Sequence, residues 1–177
     1  MQEPRFHEET GPINFAHNSS ILEYLFKFLE TENHSVIDVL VRETNRYAEQ
    51  CIAEKSRPPR VVSEHARFKS WIPVTRQEML AFLGLILSMG VVKKPTYESY
   101  WENNSRSWSM ETPNFALVMS RNRFQLILQF LHCNNNVDAV PCDQPGYDSL
   151  HKIIPVLDVI NQTFARDYKY FNMSCKK

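Results

Sequence analysis

The chain has 177 residues with twenty Lys and Arg against twenty Asp and Glu, a formal net charge of zero, and 43% apolar and 12% aromatic side chains. That balance fits a globular chain with a hydrophobic core rather than a disordered one, and it lacks the overall basicity usual in a free-standing nucleic-acid-binding domain. Only four glycines argue against a turn-rich sandwich or barrel, and no apolar run approaches the roughly 20 residues of a membrane span.

Residues 1–19 are polar and acidic and are expected to form a flexible lead-in. The opening Gln2-Glu3-Pro4-Arg5 has no apolar segment behind it, so a secretory leader is not expected. Ser20-Ile-Leu-Glu23 then has the form of a capping box, in which serine and glutamate satisfy free N–H groups at a helix start. Leu22, Leu25, Phe26 and Leu29 follow at helical spacing, predicting a helix over about 21–30.

Ser35-Val-Ile-Asp38 repeats the pattern with Asp for Glu. Val36, Leu40, Tyr47 and Cys51 fall on one stripe, with Arg42, Glu43, Arg46 and Glu49 mostly off it, so a second helix should run to about residue 54. Two prolines in Arg57-Pro-Pro-Arg60 cannot continue it. Residues 55–74 read as a Pro-rich linker, with a short strand at Val61-Val62 as an option.

Thr75-Arg-Gln-Glu78 opens a third helix, over about 76–89, with Gly90 as its stop and Phe82, Leu83, Ile86 and Leu87 on one apolar face. This is expected to be the most buried helix. Tyr97 to Trp101 lead into a loop around Trp108-Ser-Met-Glu111, and Ser120 can cap a fourth helix over about 121–131, with Phe124, Ile127, Leu128 and Leu131 inward. Residues 133–148 are turn formers and acids and read as a polar surface loop. The last pattern runs from Leu150 to Tyr168, either starting near Pro155 as a first-turn residue or kinked there.

Chemistry-bearing residues are few. Cys51, Cys133, Cys142 and Cys175 form no Cys-x-x-Cys pair and read as free thiols in a reducing compartment. His132 beside Cys133 cannot readily supply two ligands to one tetrahedral ion, so no zinc and no other cofactor is expected. Asp138, Asp143 and Asp148 share one Asn/Pro-rich loop, a poor support for acids that must converge on metal ions. There is no glycine-rich phosphate loop and no nucleophile elbow.

Charge is unevenly spread. Residues 42–76 hold eight cations, among them Arg57, Arg60, Arg67 and Lys69, against four acids, while residues 1–41 hold two against seven. The basic strip suits either phosphate contacts or an ordinary solvated linker. Arg121 and Arg123 stand at a helix N-terminus, where the helix dipole prefers negative charge. Either a phosphate relieves them or they pair with acids of the 133–148 loop.

Several strings resemble the piggyBac transposase family, in the family's order across about residues 13–170: Glu43-Thr-Asn-Arg-Tyr-Ala-Glu-Gln50; Trp71 to Glu78 with Phe82-Leu-Gly-Leu-Ile-Leu-Ser-Met-Gly90; Pro95 with Tyr100-Trp101; Met119 to His132; and Lys152-Ile-Ile-Pro-Val-Leu-Asp158. The Met119–His132 string is the most specific. The resemblance implies a mainly α fold, a single helical domain of about five helices over 20–170, similar to the family's dimerisation and DNA-binding part. The family's RNase H-like catalytic core carries a metal-binding acid triad, and a cysteine-rich zinc domain often follows. Its first catalytic acid lies in a Ser-Ile-Asp-Glu-like strand after the last helix. Here the sequence instead reads Tyr170-Phe-Asn-Met-Ser-Cys-Lys-Lys177, a divergent tail, with Asp167 out of register.

The expectation is therefore a non-catalytic piggyBac-type part, nuclear by resemblance and not secreted. It would have no membrane or small-molecule partner. Its DNA binding would be weak, through Arg121, Arg123, Arg57, Arg60, Arg67 and Lys69, and it would associate with itself or with a full-length relative. The alternatives are an interaction or dimerisation fragment without DNA affinity, or the product of a decayed element.

Overall fold

The computed structural model describes residues 11–12, 19–57, 66–102 and 114–169. The Val61-Val62 strand, the loop around Trp108, Arg60, Cys175, the 171–177 tail and most of the lead-in fall outside them. The fold is mainly helical, as the sequence predicts. Five helices follow in order: α1 (Ile21–Leu29), α2 (Val36–Lys55), α3 (Arg76–Val91), α4 (Arg121–Phe130) and α5 (Ile154–Asp167). Short 3-10 turns lie at Arg67–Ser70, Glu98–Tyr100, Phe115–Leu117 and Asn136–Asp138. A two-residue antiparallel ladder, Gly11–Pro12 on Tyr168–Lys169, joins the start of the chain to the end of α5.

Local chemistry sets the helix starts. Ser20 and Glu23 close a full capping box, holding two backbone N–H groups that the helix itself cannot satisfy. Ser35 caps α2 by accepting from the Ile37 N–H, but Asp38 does not reciprocate and turns instead to Arg76 at 2.6 Å. Thr75 accepts from the Glu78 N–H and Ser120 from the Arg123 N–H. Pro155 lies in the first turn of α5, where its missing N–H costs nothing; the helix starts at Ile154, and Leu150–Ile153 form turns before it. Gly90 does not stop α3: it is helical, and the helix runs on to Val91 before Val92 becomes extended.

α2 is the hub, packed against α3, α4 and α5, with α1 laid on α5. The core joins Ile37 and Leu40 of α2, Met79, Phe82 and Leu85 of α3, Phe124 and Ile127 of α4, Val159 of α5, and Phe115. Phe82 and Phe124 meet at 4.8 Å between ring centroids, and Trp101 lies 5.1 Å from Phe124. A second cluster of Ala48, Leu126 and Phe130 takes Trp71 edge-on against Phe130 at 5.0 Å.

Four expectations about burial and facing are corrected. α2, with seven buried residues, is more buried than α3, whose fully buried residues are Met79, Phe82 and Leu85. Leu83 and Ile86 are half-buried and Leu87 is 64% exposed. Leu128 of α4 is likewise 47% exposed, its place inside taken by Leu126 and Phe130. Glu43, expected off the buried stripe, is only 4% exposed, because Arg42 at 2.9 Å and Arg46 both pair with it; a buried carboxylate persists only with such partners.

Polar bonds lace the helices together. The Asn45 side chain accepts from the Val74 N–H at 2.7 Å and donates to the Val74 carbonyl at 3.0 Å, pinning the strand-like approach to α3 onto α2. Thr163 donates to the Phe28 carbonyl at 2.9 Å, and Arg166 donates to the Lys27 and Glu30 carbonyls at 3.2 and 3.3 Å. These last bonds occupy carbonyls that the end of α1 leaves open.

Candidate nucleic-acid interface

Only the inner side of α4 is buried: Phe124, Leu126, Ile127 and Phe130 enter the core. At 100° per residue, Arg121, Asn122, Gln125, Leu128 and Gln129 fall on the opposite arc, roughly 120° wide. Arg121, Asn122, Leu128 and Gln129 are exposed and Gln125 is half-buried. The helix carries no Asp or Glu.

The two arginines that the sequence pairs at the helix start part company in the fold. Arg123 points back into the protein, 17% exposed, and meets Glu78 of α3 in a fork of two bonds, Nε to Oε1 at 2.6 Å and Nη2 to Oε2 at 2.7 Å. Its guanidinium also lies 4.9 Å from the Trp71 ring, a cation–π contact. Its partner is thus an acid of α3, not one of the 133–148 loop. Arg123 Nη1 and the indole Nε1 of Trp71 are buried there without an acceptor among the described residues. Arg121 is exposed and forms no ion pair among the described residues. It acts on Tyr97, whose phenol is pushed up to about 12 by burial and by Glu98, with Arg121 pulling the other way.

Arg67 and Lys69 are exposed on the 3-10 turn before α3. Arg67 Nη1 donates to Oε1 of Gln125 at 2.9 Å. Gln125 lies one helical turn from Arg121, so the basic turn is carried onto the outer side of α4. Arg57 is exposed just past the end of α2. Lys55, the last residue of α2, stands over the Phe68 ring at 5.2 Å. The bond to Gln125 thus sets Arg67 beside the outer side of α4 that carries Arg121, Lys69 follows exposed on the same turn, Arg123 is turned away from that surface, and Arg60 lies outside the described residues. Sequence reasoning missed Asn122, Gln125 and Gln129. Their i, i+3 and i+7 spacing opposite the apolar stripe was the available signal.

Acids are disposed otherwise. Asp138 accepts from the Asn135 side chain at 3.0 Å on an exposed turn, and Asp143 and Asp148 are exposed. Asp167 is buried and bound to Arg166. Among the described residues no three His, Cys, Asp or Glu side chains are grouped to hold a metal ion. Among the described residues Cys51, Cys133 and Cys142 form no disulfide, and burial raises the Cys133 thiol above its ordinary range. No helix among the described residues is long and apolar enough to cross a membrane.

A family model described as "Transposase IS4" matches residues 22–175, which sets the class as transposase-like. The chain is 31% identical to human PiggyBac transposable element-derived protein 5, over 94% of this chain and 28% of that protein. It is 27% identical to human PiggyBac transposable element-derived protein 2, over 76% of this chain and 18% of the relative. Human PiggyBac transposable element-derived protein 3 is 26% identical over 92% of this chain and 24% of its own length. No solved structure matches it. The chain belongs to the piggyBac transposase family. It spans less than a third of the length of these relatives.

Proposed function

We propose that these residues form a DNA-associating helical module of piggyBac type that holds duplex phosphates weakly, acts in the nucleus, and performs no strand transfer itself. The bond from Arg67 to Gln125 carries this reading, because it joins two basic segments far apart in sequence into one surface with Arg121 and Lys69. A surface of that kind attracts phosphates even when the whole chain is neutral. Family membership supports the same reading. The non-catalytic part rests on how the acids are committed: Asp167 to Arg166, and Asp138 to a turn.

A salt titration of duplex binding tests it. With two to four phosphate contacts, the slope of log affinity against log salt should lie between about −1.8 and about −3.6, at about −0.9 per contact. No binding to any duplex at low salt would overturn it. Incubation with Mg²⁺ or Mn²⁺ and transposon-end DNA should give no nicking, and nicking that persists through further purification would overturn the non-catalytic part.

A second reading, association with another protein or a second copy, is favoured by the exposed Ile72, Leu87 and Val91. Sedimentation across a concentration series tests that reading directly.

A further inference from the structure

We infer that the outer side of α4 reads base edges in the major groove, with Asn122, Gln125 and Gln129 as specificity-determining residues; this rests on the DNA-associating reading above and adds sequence preference to it. The argument starts from chemistry. Asn and Gln present a donor and an acceptor side by side, the pair that adenine N7 and N6 offer in return, and Arg offers two donors to guanine. On α4, Arg121, Asn122, Gln125 and Gln129 lie on the exposed arc with no carboxylate on the helix to repel phosphates. Leu128, exposed beside them, supplies an apolar contact of the kind a thymine methyl accepts.

Dimensions agree. Ten residues make a helix about 15 Å long and about 10–12 Å across with its side chains, and the major groove is about 12 Å wide. The charge complement is local. Arg67 and Lys69 sit on the turn that touches Gln125, where phosphates flanking the groove would pass.

Arg67 also prepares Gln125. By donating to Oε1 at 2.9 Å, it fixes which end of the amide is the acceptor and leaves the Nε2 donors to meet N7. The carbonyl oxygen keeps a second lone pair for the adenine N6 amino group. Arg123, held by Glu78, anchors the base of the helix. These placements suit a reading helix better than a simple phosphate patch, which would need cations where α4 carries amides.

The test uses the whole 177-residue chain and a pool of duplexes randomised over about one helical turn, selected at low salt and sequenced. A preferred motif containing adenine or guanine steps is expected. Asn122→Ala, Gln125→Ala and Gln129→Ala, singly and together, should each flatten preference at one or two positions by about tenfold. Alanine is the best helix former, and circular dichroism checks that the fold is kept. A bound pool without enrichment overturns this inference and leaves the phosphate reading standing. A motif unchanged in all the variants overturns the assignment to α4. Failure to retain any duplex overturns both.

Discussion

Glu78 of α3 grips Arg123 of α4 through two parallel bonds of 2.6 and 2.7 Å, across 45 residues of sequence. The pair is mostly shielded from solvent, with the arginine at 17% and the glutamate at 27% exposure, and it lies against the Trp71 ring. A bidentate pair of this kind is stronger and more directional than an open surface bridge. It fixes the start of α4 on the start of α3. Glu78→Ala strands the guanidinium in a half-buried site, and should cost about 2 kcal/mol, read as a drop of several degrees in a thermal melt. Glu78→Gln keeps an acceptor and should cost less. A Glu78→Ala melt equal to the parent's would show that the fork carries no stability.

The core and the surface of α3 separate cleanly. Phe82 is fully buried and meets Phe124, so Phe82→Ala should cost about 3–5 kcal/mol and lower the melting temperature by roughly 10 °C or more. Leu87, five residues further along α3, is 64% exposed, and Leu87→Ala should stay within about 0.5 kcal/mol. Comparable losses from the two would mean that α3 is turned differently from the way described.

These two predictions mark where the sequence is informative and where it stops. Helix starts were legible because Ser20, Ser35, Thr75 and Ser120 accept backbone N–H groups within their own few residues, a chemistry local to the chain. Pro155 left a start or a kink open, and it lies in the first turn of α5. The inward side of α3 was not legible: Leu80, Leu83, Leu85, Ile86 and Leu87 wrap nearly all round it, so periodicity fixes no phase. What decides it is that Phe82 finds Phe124. Glu43 looked solvated because its burial depends on two flanking arginines folding over it. Arg123 looked like half of an anion site because its partner lies on a distant helix, and long-range ion pairs leave no mark in spacing. Arg67 meeting Gln125 is hidden for the same reason, although the apolar and polar stripes of α4 could be drawn from sequence.

Tyr97 should make the fold sensitive to strong alkali. Burial, chiefly, and the charge of Glu98 hold its phenol protonated up to about 12, above the ordinary value of 10.0. The folded state therefore binds this proton more tightly than the unfolded chain. The stabilisation is complete below pH 10, and it is lost as pH rises from there through about 12. Tyr97→Phe should remove that part of the alkaline slope in a pH series of melts. Its hydroxyl is buried without a partner among the described residues, so the same substitution at neutral pH should be neutral or stabilise by up to about 1 kcal/mol. A destabilised Tyr97→Phe protein would reveal a bond to the hydroxyl.

Arg121 and Arg123, two residues apart at one helix start, should respond in opposite ways. Arg121 is exposed and forms no ion pair among the described residues, so its charge is available to a phosphate. Arg123 already shares its charge with Glu78, and a phosphate would have to displace that carboxylate. Arg121→Ala should therefore weaken duplex binding on every unselected sequence and reduce the salt slope by about 0.9, with little change in melting temperature. Arg123→Ala should do the reverse, lowering the melting temperature by leaving Glu78 half-buried and unpaired, while the protein that remains folded keeps its salt slope. Glu78→Gln links the two experiments: removing the carboxylate charge frees Arg123, so duplex affinity at low salt should rise even as stability falls. Salt titrations of the four proteins, each paired with a melt, check the whole set. If Arg123→Ala removes as much salt slope as Arg121→Ala, the fork to Glu78 opens when DNA binds, and the division of labour drawn from its geometry is wrong.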